Sequence, residues 1–361
     1  MYTGVPASRG ARRLLSSAAR ALRTADPVEV LGDYLDESLS LPPGAQAYRR
    51  PHAFETRFSE RTPRALALDL TPTDPQADPA ARVTGTSRAM RRLVHGHYGP
   101  QALSWLDGRS EPLHYGCDDA WLSASFDDSG VRESQVTYAW GPLTTDTLPG
   151  PIYEAVRSAL EAMPALRPAM TSLRCGRAFG SQEITFAVDG ALRLADLRPL
   201  MDFFGLGAQH SRLVNALAFV LGARFVLPPS TALITLRPAP AGMELRLDVD
   251  LEAIPDIPPN VAALLQLQLV ERPQGLAALE QWVSAMTPFD GVSVGELSVL
   301  SVLVRPDLGP RLAIQMRPGV VTAAGPGEPI EAAQPAGPPP AEPVLAGVAS
   351  RRRGSPWDPR S

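Results

Sequence analysis

The sequence predicts an α+β protein in which ten antiparallel strands close into a barrel and helices pack outside it. A unit of one helix followed by two strands recurs five times, at irregular spacings of roughly 45 to 60 residues. Each strand alternates apolar and polar residues, as strands with one buried face do. Helices always separate one strand pair from the next, so that closure into a barrel leaves no exposed sheet edge. An open sheet with helices on one face is the alternative.

The fourth unit, residues 211–251, has the clearest pattern. A helix is expected over about Ser211 to Leu221, followed by the alternating runs TALITLR and MELRLDVDL around the turn residues PAPAG. In the second run one face is apolar, and the other carries Glu244, Arg246, Asp248 and Asp250. The two runs therefore predict an antiparallel hairpin with one polar face.

The other units follow the same order along the chain. Expected helices lie over about 26–38, 87–95, 151–162 and 261–285, the first opened by Asp26-Pro27 and the last interrupted at Pro273. Their strand pairs are HAFETRFSE with RALALDL, AWLSASFDD with ESQVTYAWG, TSLRCGRAF with SQEITFAVD, and ELSVLSVLVRP with PRLAIQMRP. A ten-stranded barrel is too wide for side chains to fill, so we expect a lumen of ligand size.

The barrel is expected to span residues 26–319. Residues 1–25 form an Arg-rich arm, predicted as a surface helix. Residues 320–361 are rich in Pro, Ala and Gly, a composition typical of a disordered tail.

Composition excludes several classes of protein. All 34 basic residues are arginines, so an anion site has to use Arg, Tyr or backbone donors. The net charge of −4 gives no reason to expect a nucleic-acid partner, and no run reaches the length of a membrane span. Two cysteines in unrelated contexts indicate reduced thiols and a cytoplasmic location. Phosphate-binding loops of the common kinds, a GxSxG elbow and zinc-ligand spacing are missing, so we expect no metal site.

The predicted architecture resembles the ABBA-type prenyltransferases, whose barrel of five αββ units encloses the active site. The first hairpin is similar to that of the cyanobactin-type peptide prenyltransferases, where an acidic residue on the first strand is followed by an Arg opening the second. Here AFETRFSE supplies Glu55 and PRALALDL supplies Arg64. The resemblance implies transfer of a dimethylallyl or geranyl group from its diphosphate to a peptide side chain in natural-product biosynthesis.

The resemblance also implies roles for individual residues. Glu55 would orient or deprotonate the acceptor, and Arg64, Arg246 and Tyr138 would bind the prenyl diphosphate. Mg²⁺ would be the cofactor, held through the substrate diphosphate, with no organic cofactor. The alternatives are a hairpin salt bridge for Glu55, a solvated charge for Arg64, an internal ion-pair network for Arg246 and core packing for Tyr138.

Two other functions stay open. One is a prenyltransferase for a small aromatic acceptor. The other is a catalytically inactive barrel that acts as a binding or partner protein, favoured by one departure from the family. The fourth strand of cyanobactin-type enzymes carries alternating basic residues, and the matching places here are Thr137, Ala139 and Gly141.

Overall fold

A computed structural model describes most of the chain from Ala7 to Gly319. The described residues are 7–39, 54–72, 77–113, 116–140, 148–178, 180–287 and 295–319. The predicted tail, residues 320–361, lies outside them and stays a prediction.

Helices precede each of the five barrel strand pairs, as the repeat pattern predicts, and several further elements lie between them. The helices are α1 Ala7–Leu22, α2 Val28–Ser38, α3 Pro79–His97, α4 Gly99–Ser110, α5 Gly150–Ala162, α6 Arg198–Phe203, α7 His210–Val220, α8 Val261–Gln268 and α9 Pro273–Met286. The strands are β1 Phe54–Ser59, β2 Leu66–Leu70, β3 Cys117–Asp127, β4 Gly130–Trp140, β5 Leu166–Gly176, β6 Gly180–Val188, β7 Leu192–Arg193, β8 Val226–Leu227, β9 Ala232–Ala239, β10 Gly242–Asp250, β11 Glu296–Arg305 and β12 Leu308–Arg317.

Ten of these strands form a closed antiparallel barrel, which confirms the predicted fold class. Around the barrel the order is β1-β12-β11-β10-β9-β6-β5-β4-β3-β2. Closure depends on the pairing of the first and last strands, where Thr56 lies opposite Met316 and Phe58 opposite Ile314. The open-sheet alternative is therefore wrong. Strands β7 and β8 form a separate two-stranded sheet.

Side chains of the barrel strands sort by polarity into two faces. On β10, Leu245, Leu247 and Val249 are fully buried and belong to the hydrophobic core, which lies between the strands and the outer helices. Arg246 and Asp248 alternate with them and point into the lumen. The apolar face of each strand thus faces outward, and the polar face lines the interior.

The predicted Arg-rich arm contains α1, an amphipathic helix that packs on α2 and α9. Its Ala11, Leu15 and Ala18 are fully buried in the core, and Gln281 of α9 donates to the carbonyl of Ala21 at 3.0 Å. Among the described residues, the helices lack the combination of length and apolar character that crossing a membrane requires.

Glu60 anchors the first hairpin to the outer layer. It follows β1 and accepts hydrogen bonds from Arg272 Nη1 and from the backbone N–H of Leu312, both at 2.7 Å. Burial raises the pKa of Glu60, although Arg272 and Leu312 act in the opposite direction. Its partners lie outside the lumen, so Glu60 stabilises the wall and does not line the interior.

Candidate active site in the barrel lumen

The lumen contains two connected chambers. The hairpin-end chamber lies toward the β-turns and is lined by residues such as Arg61, Arg132 and Arg237, with a cavity volume of about 160 Å³. The helix-end chamber lies toward the opposite end, is lined by residues such as Glu55 and Trp121, and has a cavity volume of about 350 Å³. The two share lining side chains at the middle of the barrel: Arg57, Arg246, Asp248 and Gln315.

The hairpin-end chamber is strongly basic. Seven arginines and four carboxylates line it, a formal excess of three positive charges. The arginines are Arg57, Arg61, Arg132, Arg174, Arg237, Arg246 and Arg311, and the carboxylates are Glu133, Glu183, Glu244 and Asp248. Guanidinium groups enclosed by a protein wall bind anionic oxygens well, because each offers several N–H donors and a fixed charge.

A buried ion-pair layer crosses the middle of the lumen. The carboxylate of Glu183, almost fully buried on β6, lies 3.2 Å from Arg174 Nη2 and 3.6 Å from Arg246 Nη1. Burial alone would raise the pKa of Glu183, but the charges of the surrounding arginines, led by Arg174 and Arg246, outweigh it and lower the pKa. The Glu183 carboxyl is therefore ionised at neutral pH.

A second buried carboxylate, Glu244 on β10, lies nearer the hairpin turns. Arg61 Nη1 donates to it at 3.0 Å, Arg305 Nε lies at 3.5 Å, and Arg237 forms a third contact. Burial, with the charge of Arg174, lowers the pKa of Arg237. Several lumen arginines are thus already held by carboxylates of the barrel.

The helix-end chamber combines carboxylates with an apolar wall. Glu55 and Asp69 are both buried and point inward from the first hairpin. Asp69 Oδ1 lies 3.7 Å from Arg57 Nη2, and its Oδ2 accepts from Gln315 at 3.2 Å. The apolar part of the wall consists of Trp121, Ala139, Met170, Leu233 and Val299. An aromatic face and an apolar surface suit a hydrophobic group that develops positive charge.

The structure brings two of the four predicted site residues together. Glu55 and Arg246 both line the helix-end chamber. The polar lumen also includes the neutral places of the fourth strand, Thr137 and Ala139, where Thr137 exchanges a 2.8 Å hydrogen bond with Ser172.

The other two predicted residues lie elsewhere, and these placements correct the sequence analysis. Arg64 is exposed in the turn before β2 and lines neither chamber, because it lies outside the strand whose alternation points residues inward. Tyr138 is fully buried on the outer face of β4, where its hydroxyl lies 2.9 Å from Ser87 Oγ on α3. Burial raises the pKa of Tyr138, so its hydroxyl stays protonated. The core-packing alternative describes Tyr138 correctly.

Three arginines that the sequence did not single out as site residues, Arg57, Arg174 and Arg237, also line the lumen. A signal existed for Arg57, because it lies two residues after Glu55 on the same strand and shares its face. Arg174 and Arg177 are three residues apart, and the structure points only Arg174 inward. Arg177 instead pairs with Asp127 on the outside, with contacts of 2.8 and 2.9 Å.

Among the described residues, His, Cys, Asp and Glu side chains do not converge in groups of three or more that could hold a metal ion. The lumen carboxylates Glu183, Glu244 and Asp248 are engaged by arginines. These three carboxylates therefore do not offer Mg²⁺ a set of free oxygen ligands, and a Mg²⁺ ion held through the substrate diphosphate stays a prediction.

No protein-family model matches the sequence, and no curated protein matches it either. The fold, in contrast, has counterparts among solved structures, with sequence identities too low to show more than the fold.

Three of these structures align with most of this chain and with nearly all of their own. The 5-dimethylallyl tryptophan synthase from Streptomyces coelicolor, in complex with DMASPP and Trp, has a TM-score of 0.64 and 17% identity over 90% of this chain and 99% of its own. The 6-dimethylallyltryptophan synthase from Micromonospora olivasterospora, also with DMASPP and Trp, has a TM-score of 0.66 and 15% identity over 88% and 99%. PriB with its product diphosphate has a TM-score of 0.62 and 16% identity over 88% and 97%.

These neighbours are similar to the chain in architecture. Two are dimethylallyltryptophan synthases in complex with DMASPP and Trp, and PriB is a prenyltransferase. The expected likeness to the cyanobactin-type enzymes stays a prediction. The closed barrel of ten strands with helices outside is therefore the ABBA prenyltransferase fold.

Proposed function

We propose that the protein transfers an isoprenyl group from its diphosphate to an aromatic small molecule inside the barrel. The observation that carries this proposal is the division of one lumen into a basic chamber and a chamber that combines an apolar wall with five carboxylates, the buried Glu55 among them. Prenyl transfer needs these two environments side by side, because a diphosphate leaves from one end of the donor while an allylic cation forms at the other. The structural neighbours that hold DMASPP and Trp support the same reading.

In the proposed reaction the bond between the allylic carbon and the diphosphate oxygen breaks, and the diphosphate leaves with the electron pair. Arg57, Arg174 and Arg246 would neutralise the leaving group, because they lie where the two chambers meet or beside that junction. Trp121 and Met170 would shield the allylic cation from water. A carbon or heteroatom of the acceptor then forms the new bond.

Glu55 would complete the reaction by holding the acceptor and taking its proton. It lies in the helix-end chamber and is 4% exposed, so it can act where water is excluded. Mg²⁺ would be held through the donor diphosphate.

We propose a small aromatic acceptor instead of the predicted peptide side chain because the helix-end chamber is small. The helix-end chamber has a volume of about 350 Å³, near the lower end of the roughly 300–1,000 Å³ of small-molecule sites. A peptide acceptor would have to place one side chain there and keep its backbone outside.

The test of this proposal measures the formation of prenylated product. The purified protein is incubated with dimethylallyl or geranyl diphosphate, with and without Mg²⁺, and with tryptophan, other indoles or short aromatic peptides, and products are identified by mass spectrometry. An acceptor mass raised by one prenyl group supports the proposal, and the acceptor that reacts decides between small molecule and peptide.

A second candidate is an inactive barrel that binds a ligand or partner. The observation in its favour is that Arg174, Arg237 and Arg246 are engaged by the carboxylates Glu183 and Glu244. A lack of product from every donor and acceptor, together with a lack of donor binding, would support this candidate.

A further inference from the structure

We propose that Glu183 sets the affinity of the lumen for the donor. Its carboxylate occupies the position between Arg174 and Arg246 where a diphosphate would be neutralised, so that donor binding has to displace it or bind against its charge. This inference rests on the proposed function, because it names the residue that tunes the proposed donor site.

The geometry identifies Glu183 as an internal anion. One carboxylate oxygen accepts from Arg174 Nη2 at 3.2 Å, and the other lies 3.6 Å from Arg246 Nη1. Within the described part of the chain, this second oxygen, Oε1, accepts no hydrogen bond. A buried carboxylate oxygen placed between charges without a hydrogen bond is held mainly by Coulomb attraction, which a second anion can replace.

Both arginines are held in place by partners other than Glu183. Arg174 donates to Gln135 Oε1 at 2.9 and 3.1 Å. Arg246 donates to Asp248 at 2.9 Å and to Thr235 Oγ1 at 3.2 Å. Removal of the Glu183 charge should therefore leave two oriented guanidinium groups with less negative charge between them.

The surrounding arginines keep Glu183 ionised in the wild-type lumen. The arginines that surround it, led by Arg174 and Arg246 and including Arg237 and Arg57, lower its pKa despite its burial. The wild-type lumen thus contains a permanent negative charge among these arginines at neutral pH. Any diphosphate that enters meets like-charge repulsion from Glu183 in an enclosed site of low dielectric.

The test compares Glu183→Gln with Glu183→Asp and with Glu60→Gln. The first removes the charge and keeps the shape, and the second keeps the charge. The third removes a carboxylate whose side chain is similarly buried and bound to an arginine, Arg272, but lies outside the lumen. Each protein is titrated with inorganic diphosphate in Mg²⁺-free buffer by calorimetry. We expect Glu183→Gln to bind diphosphate at least tenfold more tightly than wild type, about 1.4 kcal/mol, and both other variants to stay within about twofold of it.

The possible failures are distinct. Equal affinity of wild type and Glu183→Gln for diphosphate would overturn the role of Glu183 and leave the proposed function intact. A lack of diphosphate binding by all four proteins would overturn both. A purely structural role would make Glu183→Gln less stable without tighter anion binding. If that variant melts too early for calorimetry, the rise of its melting temperature with diphosphate replaces the affinity. A rise larger than that of wild type supports the proposal, and an equal rise contradicts it.

Discussion

Glu55 and Arg57 show how one strand can serve both halves of the proposed reaction. They are two residues apart on β1, so strand alternation points both into the lumen. Glu55 lines only the helix-end chamber, whereas Arg57 lines both chambers. The strand therefore holds a carboxylate for the acceptor next to a guanidinium group for the donor.

Replacement of Glu55 by Gln should lower turnover by roughly 10²- to 10⁴-fold, the usual contribution of a positioned acid–base group. Donor affinity should change little, because the basic chamber is intact. Single-turnover transfer and donor titration measure the two effects. Glu60→Gln serves as the control for loss of a buried carboxylate. Turnover of Glu55→Gln within a few-fold of wild type would remove Glu55 from the reaction.

At the residue scale, strand alternation explains which of the predicted strand residues line the lumen. Arg246 alternates with fully buried leucines on β10, and the barrel places its polar face inward. Tyr138 shares its face with Val136, and this apolar face is the outer one. Strand alternation therefore predicts that Tyr138 points outward, provided that the apolar face is taken as the outer one. The position of Arg64 could not be found this way, since turn residues follow no alternation.

At the scale of elements, an ion pair joins two neighbouring strand hairpins at their turn end. Arg177, just after β5, donates to both carboxylate oxygens of Asp127, the last residue of β3. The hydrogen bond from Arg177 is the main reason that the pKa of Asp127 falls to about 2, from its usual 3.8. Because the folded pKa is the lower one, this pair stabilises the fold above about pH 4 and loses its effect as the pH falls toward 2.

The Asp127→Asn variant should therefore lose less stability than wild type on acidification. Urea unfolding midpoints of both proteins, measured between pH 5 and pH 2, give the comparison. We expect the gap between the two midpoints to narrow as the pH falls through the window from about 4 to about 2. Parallel pH curves would contradict the assigned pairing.

The first helix belongs to the same core as the barrel, because Leu15 is fully buried where α1 packs on α2 and α9. Leu15→Ala should lower the free energy of unfolding by about 2–5 kcal/mol, as large-to-small core changes do. Arg13→Ala, at an exposed position of the same helix, is the matched control and should change it by less than about 0.5 kcal/mol. Chemical denaturation measures both. Equal, small effects would mean that α1 is a loosely attached arm.

Most elements followed from the sequence because period-two alternation and turn residues are local signals. The five strand pairs and the helices before them lie where these signals predict. The docking of α1 on α9 did not follow, because an amphipathic pattern shows that a face is buried but not which element covers it. Helix α4, the short helix α6 and the pair β7–β8 were missed, the last three because they are too short to show a period.

At the scale of the whole molecule, charge is divided between the surface and the interior. The protein has a net charge of −4, whereas the hairpin-end chamber has a formal excess of three positive charges. The positive charge is therefore concentrated in the hairpin-end chamber, because the helix-end chamber is lined by five carboxylates and only two arginines. Low-dielectric walls focus the charge of the hairpin-end chamber on an entering anion. The sequence predicted the lumen itself, but the pairing of its arginines depends on strand order and register, which a single sequence does not reveal.

We expect the basic hairpin-end chamber to bind the diphosphate of a prenyl donor. The most direct measurement is a calorimetric titration with dimethylallyl thiolodiphosphate of wild type, Arg57→Met and Arg64→Met. We predict saturable binding of one donor per chain, weakened at least tenfold by Arg57→Met and changed less than about twofold by Arg64→Met, because Arg57 lines both chambers and Arg64 is exposed outside them. Absence of saturable binding, or equal effects of the two variants, would contradict the account.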